Sequence, residues 1–169
     1  LLAAMEYVDS DDGWAHPEGR VAVFVGDLID RGPGQIECVR IARAMVESGK
    51  ARITAGNHEF NAVAFHAGLR PDTPKNRAQH AAFLEQVGED SALHDEIVAW
   101  FRTLPLWLDL GGLRVVHACW DPASMAALAD RETLDAALVE RASAEGTPGH
   151  DAIEILLKRP EVPAGPPYP

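Results

Sequence analysis

Three short stretches gather side chains able to hold a cation or move a proton. Asp27, Asp30 and Arg31 stand in Gly26-Asp27-Leu28-Ile29-Asp30-Arg31-Gly32, Asn57, His58 and Glu59 in Gly56-Asn57-His58-Glu59, and His117 in Val115-Val116-His117-Ala118. A carboxylate such as Asp27 can bridge two divalent cations set about 3.5–4 Å apart, as two-metal hydrolases require. An Asn carbonyl oxygen at 57 and an imidazole at 117 add a neutral and an intermediate ligand. That mix suits two ions of the Mn, Fe, Zn or Ni kind, Mn favoured, better than Ca or Mg. His58 is placed to protonate a leaving alkoxide as general acid, with Asp30 as the natural partner to orient it and raise its pKa. Arg31 offers a planar fork that matches two phosphoryl oxygens.

Each residue also has a plainer reading in isolation. Asp27 and Asp30 can cap the helix that follows. Asn57 and His58 can be turn residues, Arg31 can pair with a surface carboxylate, and His117 can be a satisfied core histidine. Glu59 reads as a carboxylate at a helix start rather than a ligand. His16, His66, His80 and His94 have no partners at ligand spacing and read as surface or core residues. Lys75-Asn76-Arg77-Ala78-Gln79-His80 reads as a solvated helix start in preference to a substrate entrance.

The elements that must position these groups follow from periodicity. The apolar run Val21–Val25 reads as a buried strand ending at Gly26, and the run near Arg52–Ala55 as a second one ending at Gly56. Between them a helix is expected from about Gln35 to Glu47, stopped by Gly49. A crossover of this length implies parallel pairing, and ligands in α/β folds collect outside the carboxyl ends of such strands. A short helix is expected to about His66, then helices over Asn76–Val87 and Leu93–Leu104, the latter with Ile97, Trp100, Phe101 and Leu104 as its core stripe. Leu106–Leu110 and Leu113–Val116 flank Gly111-Gly112, a hairpin signal. Helices return near Ala123–Leu128, Glu132–Ala142 and His150–Leu157. The loop Asp9–Gly19 is acidic, but Arg20 stands where a calcium loop of the helix–loop–helix type would need glutamate.

The 169 residues fit one domain with a real core, and 47% hydrophobic and 24% charged content is ordinary for a globular protein. Fifteen Lys+Arg against 26 Asp+Glu give a net charge of −11, which disfavours general nucleic-acid binding. The two cysteines, Cys38 and Cys119, lack disulfide-framework or zinc spacing, which suits a reducing, cytoplasmic setting. No apolar run has membrane-spanning length. The opening Leu1-Leu2-Ala3-Ala4-Met5 reads as a helix tail and the stretch 160–169 is Pro-rich, so both ends read as fragment boundaries.

Taken together, the two Gly-led motifs resemble those of the calcineurin-like metallophosphoesterases, and the Asp30-Arg31-Gly32 form resembles its phosphoprotein-phosphatase and diadenosine tetraphosphatase branch. The resemblance covers about 21–120. It implies an α/β fold, a β-sandwich flanked by helices in four α/β/β/α layers, with a helical insert over about 66–104 that shapes the substrate cleft. It implies that Asp27 bridges two metals, that Asn57 and His117 bind the second, that His58 with Asp30 donates the proton, and that Arg31 grips phosphate. The reaction it implies is attack on a phosphomonoester by hydroxide held between the metals. A phosphoserine/threonine phosphoprotein is the leading substrate, with a diadenosine tetraphosphate-type nucleotide as the alternative. The branch's opening Asp-x-His does not precede Val21, and its last ligand histidine is missing unless His150 replaces it, in the wrong context after Thr147-Pro148-Gly149. A non-catalytic scaffold lacking the first metal is therefore a further reading.

Overall fold

The computed structural model describes residues 1–10, 13–128 and 132–158. The Pro-rich stretch 160–169 and the pair Asp11-Asp12 lie outside them. After a single helical turn at Ala3–Met5, the chain forms β1 (Ala22–Phe24), α1 (Gln35–Glu47) and β2 (Ala51–Ile53). β1 and β2 pair in parallel, Ala22 opposite Ala51 and Phe24 opposite Ile53. α1 buries Val39, Ala42 and Met45 on one face, and Gly49 ends it at a φ of +73° that a side chain would resist. Met45 and Ala51 pack with Tyr7, which ties the crossover helix to the strand it feeds.

Both strands stop where glycine is obligatory. A Cβ on Gly26, whose φ is +81°, would lie 2.2 Å from the Gly56 nitrogen, and one on Gly56 would lie 2.5 Å from Asp27 Oδ1. The loops after β1 and β2 thus touch backbone to backbone, and this brings position 27 against positions 56–59. Gly26→Ala is expected to destabilise the fold by about 3 kcal/mol or more, since steric overlap adds to a left-handed backbone; urea unfolding checks it.

α2 (Asn57–His66) starts directly at the second motif and buries Phe60, Ala62, Val63 and Ala64. α3 (Pro74–Val87) is capped by Thr73, which accepts from Asn76 N, and α4 (Ala92–Phe101) by Ser91, which accepts from His94 N. Ile97, Trp100, Phe101 and Leu104 are all buried, as the helical spacing predicts. β3 (Trp107–Asp109) and β4 (Arg114–Val116) form the antiparallel hairpin around Gly111 and Gly112. α5 (Pro122–Ala127), α6 (Ala136–Ser143) and α7 (Pro148–Lys158) close the core, which runs on to Leu156 and Leu157.

The chain is α/β, with helices around small sheets. Among the described residues the strands form two separate two-stranded sheets of three residues each; these four strands do not by themselves draw a sandwich. No helix among the described residues is long and apolar enough to cross a membrane.

Candidate active site

The turn after β1 is held from below by Glu59. Its carboxylate is fully buried and accepts three amide protons, from Leu28 N (2.7 Å), Gly56 N (2.8 Å) and Asp27 N (2.9 Å). Burial drives its pKa above the ordinary carboxylate value in spite of those amide donors, and the nearby charge of Asp27 adds to the rise. One side chain therefore fastens both motif loops together. Asp27 and Asp30 themselves have left-handed backbones, φ 59° and 69°, which Asp tolerates better than most residues. Glu59→Gln keeps one acceptor oxygen and turns an NH2 toward an amide donor. A loss of about 2–3 kcal/mol in urea-unfolding stability is expected, the cost of a buried donor left unpaired.

His58 opens the first turn of α2, and its Nδ1–H donates to Asp30 Oδ2 over 2.7 Å. The other ring nitrogen, Nε2, lies 3.9 Å from Asp27 Oδ2. The Asp30 bond raises the pKa of His58 above that of a free imidazole. It outweighs burial and is joined by the charges of Asp27, Asp30 and Glu59. Burial works against the Asp30 carboxylate, but bonds from His58 and His80 more than offset it and hold its pKa below the ordinary value. Asp30 thus contributes stability that is present above its unfolded value of 3.8 and lost as pH falls through the lower folded one. The contribution of His58 is complete below its unfolded value of 6.5 and lost as pH rises through the higher folded one. The stability gap between the unsubstituted chain and His58→Ala is expected to be widest between those two values and to narrow on either side, as urea unfolding across pH would show.

His117 follows β4 and reaches across to the first loop. Its Nδ1–H donates to the Val25 carbonyl, which turns Nε2 toward Asp27 Oδ1 at 3.5 Å. In the neutral ring that nitrogen carries a lone pair, so two acceptors face each other with no hydrogen between them. A divalent cation would satisfy both, because two ligand bonds of about 2.1 Å can span 3.5 Å without rearrangement. The carbonyl bond also fixes the imidazole tautomer in the way metal-ligating histidines are held. Among the described residues no group of three or more His, Cys, Asp and Glu side chains is arranged to hold a metal ion. A cation at Asp27 and His117 would therefore draw its other ligands from Asn57, water or elsewhere.

Asn57, Asp30, Arg31 and His58 line one cavity of about 700 Å³. The same cavity is lined by Arg70, Lys75 and Lys158, which with Arg31 make four cationic side chains against the carboxylates of Asp30 and Glu154. Arg70 Nη2 donates to Gln79 Oε1 (2.8 Å) and Asn76 Oδ1 (3.3 Å), both neutral. Burial lowers its pKa, against the pull of the Asp30 charge. Lys158 pairs with Glu154. Lys75, Asn76 and Gln79 also line this cavity, so the start of α3, solvent-exposed at Lys75 and Gln79 as expected from sequence, borders it as well.

The structure thus gathers Asp27, Asp30, His58 and His117, with Arg31 and Asn57 on the same cavity as the His58–Asp30 pair. It does not bring His150 to Asp27: that ring sits 3.5 Å from Asp151 and lines an adjoining cleft with Phe60 and Ala142, which shares Arg70, Glu154 and Lys158 with the cavity. His80 is a buried core residue, one of the two places expected for it, and it also has a partner at the site: its Nδ1–H donates to Asp30 Oδ1 over 2.7 Å. The available signal was its place on the apolar stripe of α3 with Phe83, Leu84 and Val87, which points it inward.

The model of the calcineurin-like phosphoesterases, proteins that use divalent metal ions, matches residues 1–162. An asymmetrical bis(5'-nucleosyl)-tetraphosphatase PrpE of Bacillus subtilis is 33% identical over 122 residues, 70% of this chain and 50% of that protein. A symmetrical bis(5'-nucleosyl)-tetraphosphatase of Methylococcus capsulatus is 36% identical over 121 residues, 68% of this chain and 40% of that protein. One from a Janthinobacterium strain is 36% identical over 110 residues, 63% of this chain and 37% of that protein. The chain spans half or less of the length of these relatives. With a family match that runs through both Gly-led motifs and His117, the chain belongs to the calcineurin-like phosphoesterases.

Proposed function

We propose that this chain carries the catalytic centre of a metal-dependent phosphoester hydrolase whose substrate bears several phosphates, of the bis(5'-nucleosyl)-tetraphosphate kind. The observation that supports it most is the convergence on Asp27 of His117 Nε2 and His58 Nε2, at 3.5 and 3.9 Å, beside a cavity lined by four cations. Asp27, Asn57 and His117 would hold divalent cations, Mn before Fe or Zn. Such ions, when bound, supply Lewis-acid activation of water and neutralise phosphoryl charge. Arg31 binds the scissile phosphoryl oxygens through its planar fork. His58, held through Nδ1 by Asp30, donates its Nε2 proton to the departing oxygen, and the phosphoryl group passes directly to water.

A phosphoserine/threonine substrate is carried by the shared motifs alone. The cationic wall favours the nucleotide, since a chain of phosphates presents charge beyond the scissile group, and the relatives named above are tetraphosphatases. The test is a parallel assay, with added Mn, of diadenosine tetraphosphate, a phosphopeptide and p-nitrophenyl phosphate. Faster turnover of the tetraphosphate is expected. Preference for the phosphopeptide would reverse the substrate assignment, and no metal-stimulated hydrolysis of any of the three would remove the enzymatic one.

A further inference from the structure

His80 lies outside both motifs, on α3, yet its one polar bond ends on the proton-donor pair. The side chain is fully buried, with its ring 5.4 Å from Phe65 and 5.0 Å from Phe83 between centroids. Its Nε2 has no hydrogen-bond partner. A buried nitrogen left in that state carries a desolvation cost that an apolar residue of similar shape would avoid. Nothing in the packing calls for an imidazole here; the bond from Nδ1 to Asp30 Oδ1 does.

Asp30 is then bound on both oxygens, Oδ1 by His80 from α3 and Oδ2 by His58 from α2, each at 2.7 Å. Its amide donates to Gln35 Oε1 over 2.8 Å, and Gln35 N in turn donates to Gln86 Oε1 of α3 over 3.1 Å. The terminal torsion of an Asp side chain is broad and roughly two-fold, so a single imidazole would leave the carboxylate plane free to swing. Two donors from different helices fix it.

We propose that His80 is a positioning residue: it locks the Asp30 carboxylate so that His58 presents its Nε2 proton at the leaving oxygen. The proposal rests on the reading of His58 as proton donor. If it holds, the loss on removing His80 depends on how much the leaving group needs a proton, which a merely structural role would not produce.

The test uses the whole chain with Mn and two esters: an alkyl phosphate, whose alkoxide must be protonated, and p-nitrophenyl phosphate, whose phenolate need not be. His80→Phe keeps the packing and removes the donor. It is expected to lower kcat on the alkyl ester by about 10- to 100-fold with KM little changed, the scale of losing a partner that orients a functional side chain. On p-nitrophenyl phosphate the loss is expected to be no more than about 3-fold, since the proton is not needed there. His80→Asn, whose amide N–H can stand near the former Nδ1, should recover most of the alkyl-ester rate. Equal losses on the two esters, or full alkyl-ester activity in His80→Phe, would overturn the proposal. Should His80→Phe fail to fold, His80→Asn against His80→Ala gives the same comparison. Ring-proton NMR supplies a readout free of turnover: the His58 Nδ1–H resonance is expected to move in His80→Phe, and an unmoved signal counts against the role. If the unsubstituted chain hydrolyses neither these esters nor diadenosine tetraphosphate, the proposed function fails, and the NMR comparison still decides the placement of Asp30 by His80.

Discussion

Asp27→Asn is expected to lower Mn-stimulated turnover by at least about 100-fold and to strip the bound metal. The substitution is nearly isosteric, and asparagine accepts the left-handed backbone that Asp27 adopts at φ 59°. It exchanges one carboxylate oxygen for an NH2. That group can donate to the Nε2 lone pair of His117, which in the native chain faces Asp27 Oδ1 across 3.5 Å. The substituted site then closes on itself through a hydrogen bond where it would otherwise grip a cation. Thermal stability without added metal is expected to be kept or raised while metal content and turnover fall together. A variant that lost activity through unfolding would show the opposite stability change, and one that kept both metal and turnover would contradict the ligand role.

His58→Ala is expected to cost at least about 100-fold in turnover as well, on the scale of a general acid, but for a different reason. His58 Nε2 stands 3.9 Å from Asp27 Oδ2, while its Nδ1 is committed to Asp30. It lines the cavity, and it approaches Asp27 on Oδ2 rather than on the Oδ1 that faces His117. Metal content should therefore remain nearly intact, and a preparation that lost its metal would contradict the role given to the residue. The two substitutions, alike in their effect on rate, are separated by metal analysis.

Much of this centre was legible before the fold was known. Gly26 and Gly56 marked strand ends, and the structure shows why neither tolerates a Cβ: the two loops touch at 2.2 Å and 2.5 Å of the added carbon. The pairing of Asp30 with His58 followed from residue types alone. The helix over Gln35–Glu47 was readable because its apolar spacing and Gly49 stop act locally, and so was the hairpin at Gly111-Gly112. His80 and Arg70 were not readable. Their partners, Asp30 for the one and a cavity wall for the other, arise when α3 packs across the first loop, and no local spacing encodes that contact. The basic patch from Lys75 is the solvent-exposed helix start that the sequence suggests, but its place on the cavity was hidden for the same reason, since a charged helix start looks alike whether or not a cavity lies beside it. The strands proved shorter than the apolar runs, because Val21 and Val25 lie half exposed beyond the paired residues.

If Asp27 and His117 share a divalent cation beside the His58–Asp30 pair, equilibrium Mn binding followed by electron paramagnetic resonance will register it. The full chain, Asp27→Asn and His117→Ala would be titrated side by side. The unsubstituted chain is expected to take up at least one equivalent of Mn, and either substitution to abolish or sharply weaken that uptake. Equal Mn uptake by all three, or none by the unsubstituted chain, would contradict the shared cation.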